Sequence, residues 1–445
     1  MLATVVGGVL ASGAAVAQDL GLKAMPQKNP ILITGATVHP VSGPPIANGV
    51  VMFADGVLSI VGEASALDTV RLSDDVERID ATGKHIYPGL IGANTVTGLM
   101  EIGAVRATLD HTETGDVSPE VRAVVAVNPD STIIPVTRRN GVLTVGVLPM
   151  GGAIPGRASV IRMDGWTWED LAVKADAGLL VNWPNLRPVR AWWMERSEEE
   201  QTDRAQAALK TIEEAFDAAA AYMKARAADP SVKTDLRWEA MRSAIEGGER
   251  VMIRANEVEQ IQSAVSFAAR RGLKIVIVGG RDAAACIDLL KRHDVPVMVT
   301  GTHRLPRRRD TAYDEPFTLP AVLEAAGVTW CLASNGGQFD TPNERNLPYH
   351  AATAVAHGLD PDVAIRSITL SAAKLLGVDD SLGSLDAGKA ATLIITDGNP
   401  LEITTSVERA FIDGAEIELI DKQTILAEKY REKYRRLGVN REGQE

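Results

Sequence analysis

Short apolar runs separated by turns mark both ends of the chain. Near the start, residues 31–34, 49–53 and 57–61 are apolar enough for buried strands, and Asp55-Gly56 between the last two is typical of a two-residue hairpin turn. Residues 391–395 and 407–412 are also short apolar runs bounded by turn-forming residues. The pattern predicts β-rich segments at both ends.

Between these segments, short apolar strands alternate with stretches of helical periodicity. Strand-like runs at 141–145, 251–253, 274–278, 295–299 and 328–332 are interleaved with helical stretches at 258–271, 282–293 and 319–326. A repeat of strand then helix, with a period of roughly twenty residues, predicts an α/β fold built as a (β/α)₈ TIM-type barrel. A doubly wound sheet is the alternative, although no Gly-x-Gly-x-x-Gly follows the first strand.

These patterns divide the chain into five segments. We expect a signal peptide at residues 1–17, because an uncharged apolar stretch ends in Ala15-Val16-Ala17, and we therefore expect export, with a periplasmic location. An untethered apolar tail is the alternative, since the stretch has no basic start. The other segments are a first β part at 30–87, a barrel at 88–382, a second β part at 383–420 and a helical tail at 421–445. Residues 195–228 read as a long solvated helix.

Composition narrows the classes of partner. The chain has 445 residues, 45% of them hydrophobic, and a formal net charge of −12, so it can bury a sizeable core but offers no basic stripe to nucleic acid. We expect neither a nucleic-acid partner nor a membrane span, and self-association into a homo-oligomer stays open. Cys286 and Cys331 fall in apolar stretches typical of buried thiols, and whether they pair is left open.

Three motifs resemble one family. They are Tyr87-Pro88-Gly89-Leu90-Ile91, the run Gly-Ser-Leu-Asp-Ala-Gly-Lys-Ala-Ala at 383–391, and Phe411-Ile412-Asp413-Gly414. They resemble the amidohydrolase superfamily, especially its imidazolonepropionase-like and dihydroorotase-like branch, from about residue 30 to 415. The resemblance implies a barrel beside a small composite β-sandwich formed by both ends of the chain, and metal-dependent hydrolysis of carbon–nitrogen bonds.

The positions that hold metal ligands in that family carry other residues here. The resemblance places Asn94 and Val96 at the first-strand His-x-His pair and Arg254 and Asn256 at the fifth-strand pair. It places the sixth-strand histidine near Gly279 and the eighth-strand aspartate at Asn335. Valine offers no donor atom, an amide is a poor ligand for a transition metal, and a guanidinium repels a cation. We therefore expect no metal and no other cofactor.

The altered positions still predict a binding site for a small molecule. Asn94, Arg254, Asn256 and Asn335 are expected to meet at the carboxyl ends of the barrel strands as a polar pocket. Arg254 either binds a carboxylate or phosphate or fills the vacated space with internal hydrogen bonds. His303 is a weak catalytic candidate as a natural acid/base group, although a lone loop histidine is ordinarily solvated.

Two functions remain open at this point. One is a hydrolase acting on carbon–nitrogen, non-peptide bonds by metal-independent chemistry. The other is a catalytically inactive relative that binds a small ligand or a protein, because a fold does not fix a function.

Overall fold

The computed structural model describes residues 21–68, 70–306 and 308–439, and the expected signal peptide lies outside them. Two eight-stranded sheets organise this part of the chain. The first is built from both ends of the chain, with strands β1 (Ile31–Val38), β2 (Ile46–Ala54), β3 (Val57–Glu63), β4 (Glu77–Asp80), β5 (His85–Pro88), β14 (Leu393–Thr396), β15 (Val407–Ile412) and β16 (Ala415–Glu416).

In this first sheet, β14 pairs with β5, so the two ends of the chain share one set of hydrogen bonds. The order is β16-β15-β14-β5-β1-β2-β3, with β4 added beside β1. The predicted hairpin is confirmed between β2 and β3, where Asp55 and Gly56 both have positive φ, at 51° and 79°. Two such residues match the twist of the flanking strands.

The second sheet forms the barrel predicted from the sequence. Its strands follow chain order from one edge to the other: β6 (Leu90–Thr95), β7 (Val142–Val147), β8 (Gly156–Arg162), β9 (Ala172–Asn182), β10 (Val251–Ala255), β11 (Ile275–Gly279), β12 (Val297–Thr300) and β13 (Trp330–Ala333). The first and last strands lie side by side, and the Asn94 side chain of β6 donates a hydrogen bond to the Ser334 carbonyl just after β13.

The barrel departs from a regular (β/α)₈ repeat at β8, which runs antiparallel to both β7 and β9. Only residues 148–155 separate β7 from β8. A parallel crossover needs about a dozen residues or more, so a segment this short returns the chain antiparallel.

Helices surround the barrel and follow most of its strands. They are α1 (Ile133–Arg138), α2 (Trp168–Leu171), α3 (Glu198–Ala228), α4 (Leu236–Ala240), α5 (Arg242–Ile245), α6 (Val258–Arg271), α7 (Ile287–Arg292), α8 (Glu315–Ala326), α9 (Leu347–Ala356), α10 (Pro361–Ser367), α11 (Leu370–Leu376) and α12 (Lys422–Arg436), with short 3-10 helices at Ala64–Leu67, Arg106–Thr108, Ala123–Ala126, Ala283–Cys286 and Thr341–Asn346. The long helix predicted at 195–228 is present as α3, and α12 lies within the segment 421–445 for which a helical tail was predicted, the last residues of which are outside the described part of the chain.

Side chains pointing into the barrel form a compact apolar cluster. Met252, Val276 and Met298 lie in it together with Leu375 and Leu376 of α11. Arg250, just before β10, donates to the main-chain carbonyl of Leu375, so α11 covers the end of the barrel where the parallel strands begin. The opposite end, where these strands finish, is the end at which the predicted site residues lie.

Two further findings concern the described residues. Cys286 and Cys331 are free, buried thiols. The helices found between residues 21 and 439 are each too short or too polar to cross a lipid bilayer.

Candidate functional site

Arg254 crosses the open end of the barrel. From β10 its guanidinium donates through Nη1 to the Pro149 carbonyl at 2.7 Å and to Oδ1 of Asn182 at 3.1 Å, and through Nη2 to the Leu148 carbonyl at 3.1 Å. The side chain thereby links β10 to β9 and to the segment that follows β7. The internal hydrogen bonds considered from the sequence are therefore present.

The charge of Arg254 has no acidic counterpart among the described residues. Its contacts are two carbonyl oxygens and an amide oxygen, and burial alone lowers the pKa of the guanidinium to about 10. Taking a cation out of water is unfavourable unless a counter-charge accompanies it. Three of the five guanidinium N–H groups are used, which leaves Nε and one Nη2 hydrogen for a ligand.

Asn182 orients the guanidinium and was not predicted from the sequence. Its Nδ2 donates to the carbonyls of Gly151 and Gly152 at 2.7 and 2.8 Å, so its Oδ1 faces Arg254. The signal available in the sequence was its place at the last position of a strand, together with a Gly-Gly turn that frees carbonyls.

Asn94 and Asn335 lie next to each other at the junction of β6 and β13. Asn94 is 2% exposed and its Nδ2 donates to the Ser334 carbonyl at 3.0 Å, while Nδ2 of Asn335 donates to Oδ1 of Asp340 at 3.2 Å. The Oδ1 atoms of both asparagines are buried and accept no hydrogen bond.

The predicted asparagines each pack against a glycine of a neighbouring strand end. A Cβ atom on Gly279 would lie 2.5 Å from Oδ1 of Asn256, and one on Gly301 would lie 2.6 Å from Oδ1 of Asn335. Gly336 has the same relation to Asn94, with Nδ2 at 2.3 Å from the Cβ position. All three glycines have positive φ. Glycine is therefore required at these positions by both space and backbone conformation.

Glu344 is a buried acid that sequence reasoning missed. The residue is 0% exposed, and neither carboxyl oxygen has a hydrogen-bond partner among the described residues. Burial raises its pKa to about 8, and the negative charge of Asp340 adds to the shift. One oxygen lies against Gly92 of β6, where a Cβ would be 2.3 Å away. The polar run at 342–346 gave no sign of burial, because such runs are ordinarily surface turns.

His303 belongs to a different group of side chains. It is exposed, its Nε2 lies 2.7 Å from Oγ1 of Thr353, and its ring packs on His350 of α9 at 4.1 Å between centroids. Burial lowers the pKa values of both rings, that of His350 to about 4. The contacts of His303 are thus with α9 and include neither Arg254 nor the asparagines.

The titratable side chains near this end do not form a recognisable ligand group. Within residues 21–68, 70–306 and 308–439, no three His, Cys, Asp or Glu side chains converge closely enough to hold a metal ion.

Comparison with known proteins points to one family. A model of the amidohydrolase family matches residues 238–417. The crystal structure of an amidohydrolase from Thermotoga maritima MSB8 is similar with a TM-score of 0.74 and 26% identity, covering 87% of this chain and 99% of that one.

Curated relatives match over shorter parts of their own length. The amidohydrolase tasK of Hapsidospora irregularis is 22% identical over 374 residues, which are 77% of this chain and 37% of that protein. An imidazolonepropionase of Flavobacterium psychrophilum is 34% identical over 97 residues, 22% of each chain. This chain therefore spans well under half the length of these two curated relatives.

Proposed function

Because this chain belongs to the amidohydrolase superfamily, we propose that its site lies at the carboxyl end of the barrel strands. This site binds a small anionic molecule through Arg254 and without a divalent ion. The observation that carries the proposal is the environment of the guanidinium. It lies at this end of the barrel with two N–H groups that donate no hydrogen bond and with no acidic side chain beside it among the described residues. A carboxylate or phosphate matches such a planar fork in two parallel hydrogen bonds.

The donor atoms at the strand ends do not fit the metal that the family implies. Val96 and Gly279 carry no donor, and the Arg254 guanidinium, tied to the Leu148 and Pro149 carbonyls, places a positive charge where a cation would stand. Asn94 and Asn335 supply neutral amide oxygens, which are weak ligands for zinc-like ions. No chemical step is therefore assigned to a metal.

Binding of simple anions to matched variants tests the proposal. Isothermal titration with acetate, succinate and inorganic phosphate should give saturable binding that Arg254→Gln abolishes and Arg254→Lys weakens at least tenfold, since lysine cannot form the fork. Arg431→Gln, on the exposed face of α12, is the control and should leave affinity unchanged. Equal affinity in Arg254→Gln and the parent protein would overturn the proposal.

The metal content of the purified protein tests the proposal that the site works without a divalent ion. We expect elemental analysis to find far less than one zinc, manganese, nickel or iron per chain. One or two tightly held ions per chain would contradict a metal-independent site.

Metal-independent hydrolysis of carbon–nitrogen bonds is the second candidate function. Glu344 favours it, because a carboxyl with a pKa near 8 keeps its proton at neutral pH and could serve as a general acid. Chelator-treated protein would then turn over hydantoins, dihydroorotate or imidazolonepropionate, and Glu344→Gln would remove the activity. Binding without turnover would instead leave the ligand-binding function alone.

A further inference from the structure

A cavity lies between the shared terminal sheet and the barrel. It has a volume of about 360 Å³ and is lined mainly by residues 39–45, which join β1 to β2, by Tyr87 of β5 and by α10. The described residues that are bonded to Arg254 are not among those that line it. Sites for small molecules commonly lie where two domains meet and have volumes of about 300–1,000 Å³. The cavity is therefore a second candidate site, separate from that of Arg254.

Stacked rings form one wall of this cavity. The His39 ring lies on Tyr87, with 4.1 Å between the centroids and 10° between the planes, and its Nε2 is 3.0 Å from Nδ1 of His85. Burial and the neighbouring His85 lower the pKa of His39 to about 4, while the charge of Asp362 opposes this shift. The imidazole of His39 is therefore neutral at neutral pH, and this wall is aromatic and uncharged.

The other walls are largely apolar. Pro44 and Pro45 line the cavity from the β1–β2 loop, and Pro361 and Ile365 line it from α10. Proline has no N–H group to donate. These walls therefore provide surface on which an apolar ligand body can pack, with few hydrogen-bonding groups.

Asp362 gives the cavity a negative charge that no neighbour balances. Within the described part of the chain its carboxylate forms no hydrogen bond or ion pair, and it acts on His39 and Tyr87 through its charge, which raises the pKa values of both. Arg366 also lines the cavity, but its Nη2 donates to Oε1 of Glu324 at 2.9 Å, so its charge is already paired. A positively charged ligand would complement this cavity.

We propose that this cavity binds a small organic cation, a protonated amine carried on a ring or another apolar body. The ammonium group donates to the Asp362 carboxylate in a charge-assisted hydrogen bond, and the body packs on His39, Tyr87 and the prolines. The faces of aromatic rings also attract cations. The site goes beyond the proposed function, because it lies in a different cavity and takes a ligand of the opposite charge.

Three probes that share one ring but differ in charge test the site in the parent protein. They are benzylamine, benzyl alcohol and phenylacetate. In isothermal titration we expect benzylamine to bind about tenfold more tightly than benzyl alcohol, because the charge-assisted hydrogen bond is the stronger one. In NMR spectra of protein with labelled histidine, benzylamine should shift the ring signals of His39 and leave those of the exposed His293 unchanged. Phenylacetate should leave the His39 signals in place.

Variants test whether Asp362 carries this preference. Asp362→Asn should weaken benzylamine binding about tenfold and leave the affinity for benzyl alcohol unchanged, since only the charged probe loses its partner. Asp288→Asn is the matched control, because Asp288 is an exposed acid in the first turn of α7, as Asp362 is in the first turn of α10. Arg254→Gln should also leave benzylamine binding unchanged, so this site and the proposed anion site can fail separately.

Four results would each overturn the inference. They are equal affinity for benzylamine and benzyl alcohol, benzylamine binding that leaves the His39 signals unmoved, a response of His39 to phenylacetate, and no binding of benzylamine at millimolar concentration. A response to phenylacetate would instead assign the cavity to an anion held by Arg366. Because the probe series uses the parent protein, the inference stays testable even if a variant fails to fold.

Discussion

At the scale of single residues, Glu344 couples stability to pH. Its folded-state pKa of about 8 lies above the ordinary value of 4.5, because burial penalises the charged form. The free energy of unfolding should therefore fall as pH rises from about 4.5 to about 8 and level off above that, by on the order of a few kcal/mol.

Glu344→Gln should remove this dependence, since the amide has no proton to lose. Urea unfolding of parent and variant at pH 5, 7 and 9 measures it, with the exposed Glu428→Gln as the control. If the free energy of unfolding falls with rising pH by the same amount in the parent protein and in Glu344→Gln, this carboxyl is not the group responsible.

The glycines at the strand ends provide a second test at this scale. Gly279→Ala combines φ of +121° with a Cβ placed 2.5 Å from the Asn256 side chain. We expect a loss of about 2–3 kcal/mol in the free energy of unfolding, against about 1 kcal/mol for Gly327→Ala. Gly327 has positive φ but open space around it. Similar losses in both variants would rule out crowding at Gly279.

At the scale of elements, capping explains where the longest helix begins. Oγ of Ser197 accepts from the Glu200 amide, and the Glu200 carboxylate accepts from the Ser197 amide, which closes a capping box before α3. Ser197→Ala should lower the free energy of unfolding by about 1 kcal/mol. Thr202→Ala, inside the same helix, serves as the control in the same denaturation assay, and an equal effect there would argue against a capping contribution.

The sequence predicted elements wherever local chemistry decides their form. The Asp55-Gly56 turn requires two residues with positive φ, and α3 follows from a long polar stretch with good helix formers. No strand was predicted at the position of β8, and the expected (β/α)₈ repeat implied parallel strands throughout, so the antiparallel β8 was missed. The eight-residue link before it was nevertheless a usable signal.

At the scale of the whole molecule, the two ends of the chain depend on each other. β14, from the second terminal segment, pairs with β5 of the first, and Phe411 packs edge-on against Phe53 at 5.3 Å in the core of the shared sheet. Neither terminal segment completes this sheet by itself.

Ending the chain at residue 382 should therefore give insoluble protein, because it exposes the edge of β5 and its apolar face. Ending it at residue 420 removes α12, which buries no side chain, and should leave the protein soluble with a similar melting temperature. Soluble yield and circular dichroism melting compare the two. A soluble, cooperatively melting 382-residue chain would contradict this dependence.

The candidate site was only partly predictable for the same whole-molecule reason. The family resemblance singled out Asn94, Arg254, Asn256 and Asn335, the barrel fold implied that they lie at the carboxyl ends of strands, and the structure has them at that end of the barrel. Asn182, Asp340 and Glu344 come from segments without a motif. Their roles depend on which strands are neighbours in the folded barrel, and the sequence does not show this.

The backbone at Gly279 also limits how this chain could evolve. With φ of +121°, the end of β11 adopts a conformation that residues with side chains rarely enter, and the Asn256 amide occupies the space beside it. Any residue with a side chain at this position would meet both obstacles at once. A substitution at position 279 is therefore expected to persist only together with changes in the residues around it.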